Sequence, residues 1–143
     1  MQYTYKYIFR PRHSDFDDYG IAHHSRFFCW FEEARYEAFE PFKEKAEMLF
    51  EKYKFPLSYL DCKFSRSVDT FDKLMITVTI EIPLSGPTLP IKYRLTDLSG
   101  RVLYARGITK HAFVDRDMKI LGRIPEEFED IVNMLMENNS YEK

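Results

Sequence analysis

Three histidines (His13, His23, His24) and three aspartates (Asp15, Asp17, Asp18) crowd into the stretch from residue 13 to residue 24. A carboxylate in such a stretch can act as a base toward water or as a nucleophile. Directly behind it, Ser25 and an apolar run predict the start of a helix. A helix N-terminus presents unpaired amides and a partial positive charge of about half a unit. That is a device for polarising a carbonyl or holding an oxyanion. Together the two supply a carbonyl activator and a proton acceptor, a pair suited to hydrolysing an ester or thioester.

The same residues fit other chemistries less well. Asp15-Phe16-Asp17-Asp18-Tyr19-Gly20 has the Asp, Asp and Gly of a calcium loop, but Tyr19 stands at position five and Arg26 replaces the bidentate Glu of position twelve. A zinc site built on the three histidines with Asp15 or Asp17 lacks the His-x-x-x-His spacing of a helical ligand pair. The bland alternative is turn chemistry, with Asp and Gly shaping a loop and capping a helix. Cys29, set between Phe28 and Trp30, reads as a buried structural thiol. There is no Gly-x-Ser-x-Gly elbow, no phosphate-cradling glycine loop and no Cys-x-x-Cys pair.

The elements that must position this loop follow from periodicity. Tyr3 to Arg10 reads as a strand closed by Pro11, and Pro11 to His24 as a loop. In the helix from about Arg26 to Glu40, Phe27, Trp30 or Phe31, Ala34 and Ala38 share one face. Phe42 to Lys54 reads as a second, more charged helix. From Leu57 the period becomes two. Leu74, Ile76, Val78, Ile80 and Ile82 share one face of the clearest strand, Pro83 to Pro87 is a turn, and Leu89 to Thr96 alternates again. Asp97 to Gly100 predicts a hairpin, Val102 to Val114 a long strand, and Pro125 to about Glu137 a short helix. A sheet must bury its apolar face, and the Arg26–Glu40 helix is the strongly apolar partner. The expected fold is α+β, a curved antiparallel sheet wrapped around one long central helix.

The chain has 143 residues, 45% hydrophobic and 31% charged, which suits a single domain spanning 1–143 and argues against disorder. A net charge of -2 gives no reason to expect nucleic acid, and no segment approaches the ~20 apolar residues of a membrane span. Two cysteines and an N-terminus without the pattern of a signal peptide point to the cytoplasm. Thirteen Phe and ten Tyr are a surplus for this size, suggesting a thick core, a subunit interface or an apolar groove.

The segment Asp15-Phe16-Asp17-Asp18-Tyr19-Gly20-Ile21-Ala22-His23-His24-Ser25, continued by Trp30-Phe31-Glu32-Glu33-Ala34-Arg35-Tyr36-Glu37, resembles the hotdog-fold acyl-CoA thioesterases of the 4-hydroxybenzoyl-CoA thioesterase-like family. The family pattern is D-x-D-x-x-G-x-x-x-H followed by an aromatic helix with E-x-A-R-x-E. The resemblance implies hydrolysis of a thioester to a carboxylic acid and free CoA, or of the corresponding acyl carrier protein thioester, with no cofactor and no metal. It makes Asp17 the catalytic aspartate and the His24 amide the carbonyl-polarising donor, with the His24 side chain helping to position the loop or the thioester. Tyr19, Gly20, Ile21 and Phe27 become substrate-binding candidates, and Arg66, Lys92, Arg94, Arg116, Lys119 and Arg123 become candidates for the CoA phosphates. It also implies a homodimer or homotetramer whose sheets join edge to edge. Phe16 and Arg26 depart from the family's common residues. A non-catalytic acyl-thioester-binding hotdog protein is the alternative reading.

Overall fold

The computed structural model describes residues 2–81, 84 and 86–141. Five strands form one antiparallel sheet: β1 (Gln2–Phe9), β2 (Leu57–Phe64), β3 (Leu74–Glu81), β4 (Leu89–Asp97) and β5 (Leu103–His111), in the spatial order β1-β3-β4-β5-β2. Although β2 precedes β3 in the chain, it crosses to the far edge and pairs with β5, Cys62 opposite Gly107 and Phe64 opposite Ala105. The helices are α1 (His24–Phe39), α2 (Lys43–Lys52) and α3 (Glu126–Tyr141). The hotdog arrangement expected from the sequence is the one observed. None of the described helices is long and apolar enough to cross a membrane.

Alternation dictates which face of the sheet is buried. In β3, Leu74, Ile76, Val78 and Ile80 are at most 1% exposed, and Ile82, expected to continue that face, lies outside the described residues. The predicted turn from Pro83 to Pro87 lies partly outside them too. Against this face lies α1, with Phe27, Trp30, Phe31, Ala34 and Ala38 buried, as the helical spacing predicts. Phe31 stacks on Tyr93 of β4 at 4.8 Å, and the helix comes so near β5 that a Cβ on Gly107 would meet the Phe31 ring at 2.5 Å. The Tyr3 hydroxyl donates to the Ala38 carbonyl at 2.8 Å, tying β1 to the end of α1.

Three expectations need correction. The α1 N-cap is His23, not Ser25: the His23 Nδ1 accepts from the Ser25 amide at 3.2 Å, so the helix begins at His24. Cys29 is exposed, because it sits one step off the buried 27/30/31/34/38 stripe. The central helix is also not the sole apolar partner of the sheet. The C-terminal helix runs to Tyr141 and buries Phe128, Ile131, Val132 and Leu135, Phe128 meeting Phe113 at 5.4 Å.

Candidate active site

The loop ahead of α1 is a small hairpin of its own. Phe16 and Ala22 form an antiparallel bridge, the Asp17 amide donates to the Ile21 carbonyl at 2.9 Å, and the Gly20 amide donates to the Asp17 carbonyl at 3.0 Å. Closing so short a loop places Gly20 at φ +77°, in the left-handed region where a side chain is strained. The Ala22 amide donates to the Val68 carbonyl at 2.8 Å, pinning the hairpin to the segment that follows β2.

The three aspartates of the loop have different surroundings. Asp15 is 7% exposed; its Oδ2 accepts from the Arg12 amide at 2.8 Å and its Oδ1 lies 3.5 Å from Arg26 Nε. The Asp15 carbonyl also takes the His23 amide at 2.8 Å, so this residue holds the loop against the helix start. Arg26, a departure from the family pattern, supplies the charge that accompanies the buried Asp15 carboxylate. Asp17 is half-buried, its Oδ1 accepting from the Tyr19 amide at 2.8 Å, while Oδ2 has no partner among the described residues. Asp18 is exposed.

The hairpin carries Asp17 back toward the helix start. Its backbone is bonded to Ile21, and Ile21 is three residues before His24, so the Cα atoms of Ile21 and His24 lie within about 10 Å of each other. His24 is the first residue of α1, and its amide finds no acceptor among the described residues. Its imidazole is exposed, with the His23 ring 4.1 Å away. Among the substrate-binding candidates, Tyr19 is 89% exposed and Ile21 half-buried, both on the hairpin. Phe27 is 2% exposed inside the core, against Trp30 at 5.2 Å and Phe64 at 4.9 Å. Loop, amide and hairpin side chains are thus gathered at one end of α1, while Phe27 stands behind them.

Sequence reasoning missed Val68 and Phe71, which back this site. The Phe71 ring lies tilted 4.6 Å from that of Phe16 and 4.5 Å from that of His13, and Val68 is fully buried beneath the hairpin. No local motif marks these residues; only the crossing of β2 to the far edge brings them here. Among the described residues no three His, Cys, Asp or Glu side chains converge as metal ligands would. Of the basic candidates, Lys92 and Arg94 share the outer face of the sheet, while the Arg116 Nε donates to the Glu51 carbonyl at 2.8 Å.

Residues 11–132 match the family model of the thioesterase-like superfamily. Among solved structures, the chain is similar to a 1,4-dihydroxy-2-naphthoyl-CoA thioesterase from Synechocystis, at 19% identity and TM-score 0.75 over 91% of this chain and 96% of that one. A DHNA-CoA thioesterase from Staphylococcus aureus is similar at 20% identity and TM-score 0.74, covering 98% and 95%. A hypothetical protein from Aquifex aeolicus reaches 26% identity and TM-score 0.75, covering 90% and 98%. No curated protein sequence matches.

Proposed function

The chain belongs to the thioesterase-like superfamily and is a thioester hydrolase; we propose that it cleaves an acyl-CoA to a carboxylic acid and free CoA, with Asp17 and the His24 amide as its working groups. The observation that carries this reading is the hairpin itself. It leaves one oxygen of a half-buried Asp17 unpartnered and the first amide of α1 without an acceptor among the described residues, close together in the chain path.

In this reading the thioester oxygen sits at the helix terminus, where amide and dipole favour the negative charge that develops during attack. Asp17 acts by one of two balanced routes. As a base, it takes a proton from water while the water oxygen bonds to the carbonyl carbon; the C–S bond then breaks and the thiolate leaves. As a nucleophile, its own oxygen makes that bond, expelling the thiolate and leaving an acyl anhydride that water opens. The bond from the Tyr19 amide to Oδ1 orients the carboxylate in either case. Label found in the Asp17 carboxylate after turnovers in ¹⁸O-water identifies the anhydride route, since it enters there when water opens the anhydride at the aspartyl carbonyl.

We also read the β2 edge as the place where a second copy adds its own sheet, a natural fate for an unpaired strand. Leu57, Tyr59, Leu60 and Phe64 are 40–49% exposed there. Phe64 touches Phe27 in the first turn of α1, so a copy seated on this edge would border the site.

The test is release of free thiol across a panel of short, long and aromatic acyl-CoAs, with Asp17→Asn beside the native protein. Turnover lost in the variant with the fold intact supports the assignment. Full turnover in the variant rejects the role of Asp17, and binding without turnover across the panel rejects the reaction.

A further inference from the structure

The outer face of the sheet, away from α1, carries an unusual row. Register places Lys6 of β1 beside Thr77 of β3, Thr77 beside Arg94 of β4, Arg94 beside Arg106 of β5, and Arg106 beside Lys63 of β2. All four cations are exposed, and none has an ion-pair partner among the described residues. Directly opposed residues on neighbouring strands share a face at a strand spacing of ~4.8 Å, and like charges so placed repel. Three consecutive strands therefore hold Arg94, Arg106 and Lys63 abreast on a chain whose net charge is -2.

Within the row, Lys63, Arg94 and Arg106 line a shallow concavity of about 510 Å³, open to solvent, together with Lys92 and the hydroxyls of Thr77 and Thr79. A volume of that order suits a nucleotide-sized ligand. Two carboxylates also face it, but both are engaged: Glu81 pairs with Lys92 at 2.8 Å, and Asp61 accepts from the Tyr59 hydroxyl at 2.9 Å. Four cations against two carboxylates leave the cavity net positive. Two adjacent guanidiniums with threonine hydroxyls beside them are donors matched to phosphate oxygens.

We infer that this outer-face concavity is a binding site for a phosphorylated ligand of nucleotide size, its phosphates spanning Arg94, Arg106 and Lys63. The ligand has two chemical sources: the phosphate-bearing end of the acyl-CoA itself, which rests on the proposed function, or a free nucleotide that binds independently of turnover. An anion between the cations removes their mutual repulsion, so occupancy stabilises the fold as well as the ligand.

The experiment is calorimetric titration of the full chain at low salt with adenosine 3′,5′-bisphosphate and with inorganic tripolyphosphate, together with melting curves at saturating anion. Native protein is expected to bind saturably and to melt higher with anion present. Arg94→Gln/Arg106→Gln is expected to lose affinity at least about tenfold and to lose the anion-dependent shift. Its melting point without anion should not fall, because two repelling charges are gone; Lys63→Gln provides a milder second variant. The absence of saturable binding in native protein, or equal affinity in the variants, overturns the site. Because the titration needs no turnover, it stands or falls apart from the role of Asp17. If KM for an acyl-CoA rises in the double variant relative to KM for the matching acyl-pantetheine, the substrate's own phosphates are the ligand. If that ratio stays fixed while nucleotide binding is lost, the ligand is a separate nucleotide.

Discussion

The Arg35 guanidinium, on α1, stands 3.3 Å from the Nε2 of His111, on β5, and that imidazole is only 4% exposed. The His111 Nδ1 faces the Phe55 carbonyl at 3.4 Å, while Nε2 also meets the Thr109 hydroxyl at 3.0 Å, itself 2.9 Å from the Tyr93 hydroxyl. A carbonyl at Nδ1 calls for the proton there, leaving Nε2 as an acceptor in a neutral ring. Helix, sheet and the chain before β2 thus meet at one buried polar cluster.

Burial, and then the charge of Arg35, brings the His111 pKa down from 6.5 to about 4. Between those values the unfolded chain takes up a proton that the folded chain refuses. Stability is therefore fully present above about pH 6.5, declines as pH falls through the window, and levels off below about 4. The expected loss is on the order of 2 kcal/mol. Urea midpoints from pH 7.5 to 4 should show this slope, and His111→Gln should flatten it. An unchanged slope in the variant would assign the acid sensitivity to other groups.

Asp17→Asn is expected to lower kcat by roughly 10²–10⁴ with little change in KM, the scale of a positioned base. Asp18→Asn, at an exposed position, should keep most of its rate. Steady-state kinetics with matched circular dichroism spectra compare the two. Equal losses would mean that the carboxylates act as a group.

Asp15→Asn should act through structure. It removes the charge facing Arg26 and weakens the bond that holds the Arg12 amide, so about 1–2 kcal/mol of stability should go. Activity should fall with it, because the His23 amide and the helix start hang on the same residue. A variant with native melting temperature and native rate would show that the loop keeps its shape without this pair.

Gly107→Ala should cost about 1–3 kcal/mol, since the added methyl would overlap the Phe31 ring, itself stacked on Tyr93. A melting temperature equal to the native one would show that the ring can yield.

Leu60→Lys, on the β2 edge, should shift sedimentation from dimer toward monomer and reduce turnover along with it. Monomeric native protein at micromolar concentration would refute edge-to-edge assembly.

Much of this was legible from spacing. The stripe from Phe27 to Ala38 and the alternation of β3 need only local periods of 3.6 and 2. The loop's candidates were legible too, because the dense run of Asp and His carries its own signal. What the sequence hides is non-local. Nothing in β2 announces that it pairs with β5, so neither Val68 beneath the hairpin nor Lys63 beside Arg106 is foreseeable. The His23 cap was hidden for another reason: Ser25 is the commoner capping type, and an imidazole competes only once the chain is bent.

That cap has a consequence for how the helix start tolerates change. A serine hydroxyl turns about one bond to find an amide, whereas the His23 ring reaches both the amide and the hydroxyl of Ser25 through a single nitrogen and lies 4.1 Å from the His24 ring. Shortening residue 23 would therefore release every one of these contacts at once, and the first turn of α1, whose leading amide belongs to His24, would lose its anchor.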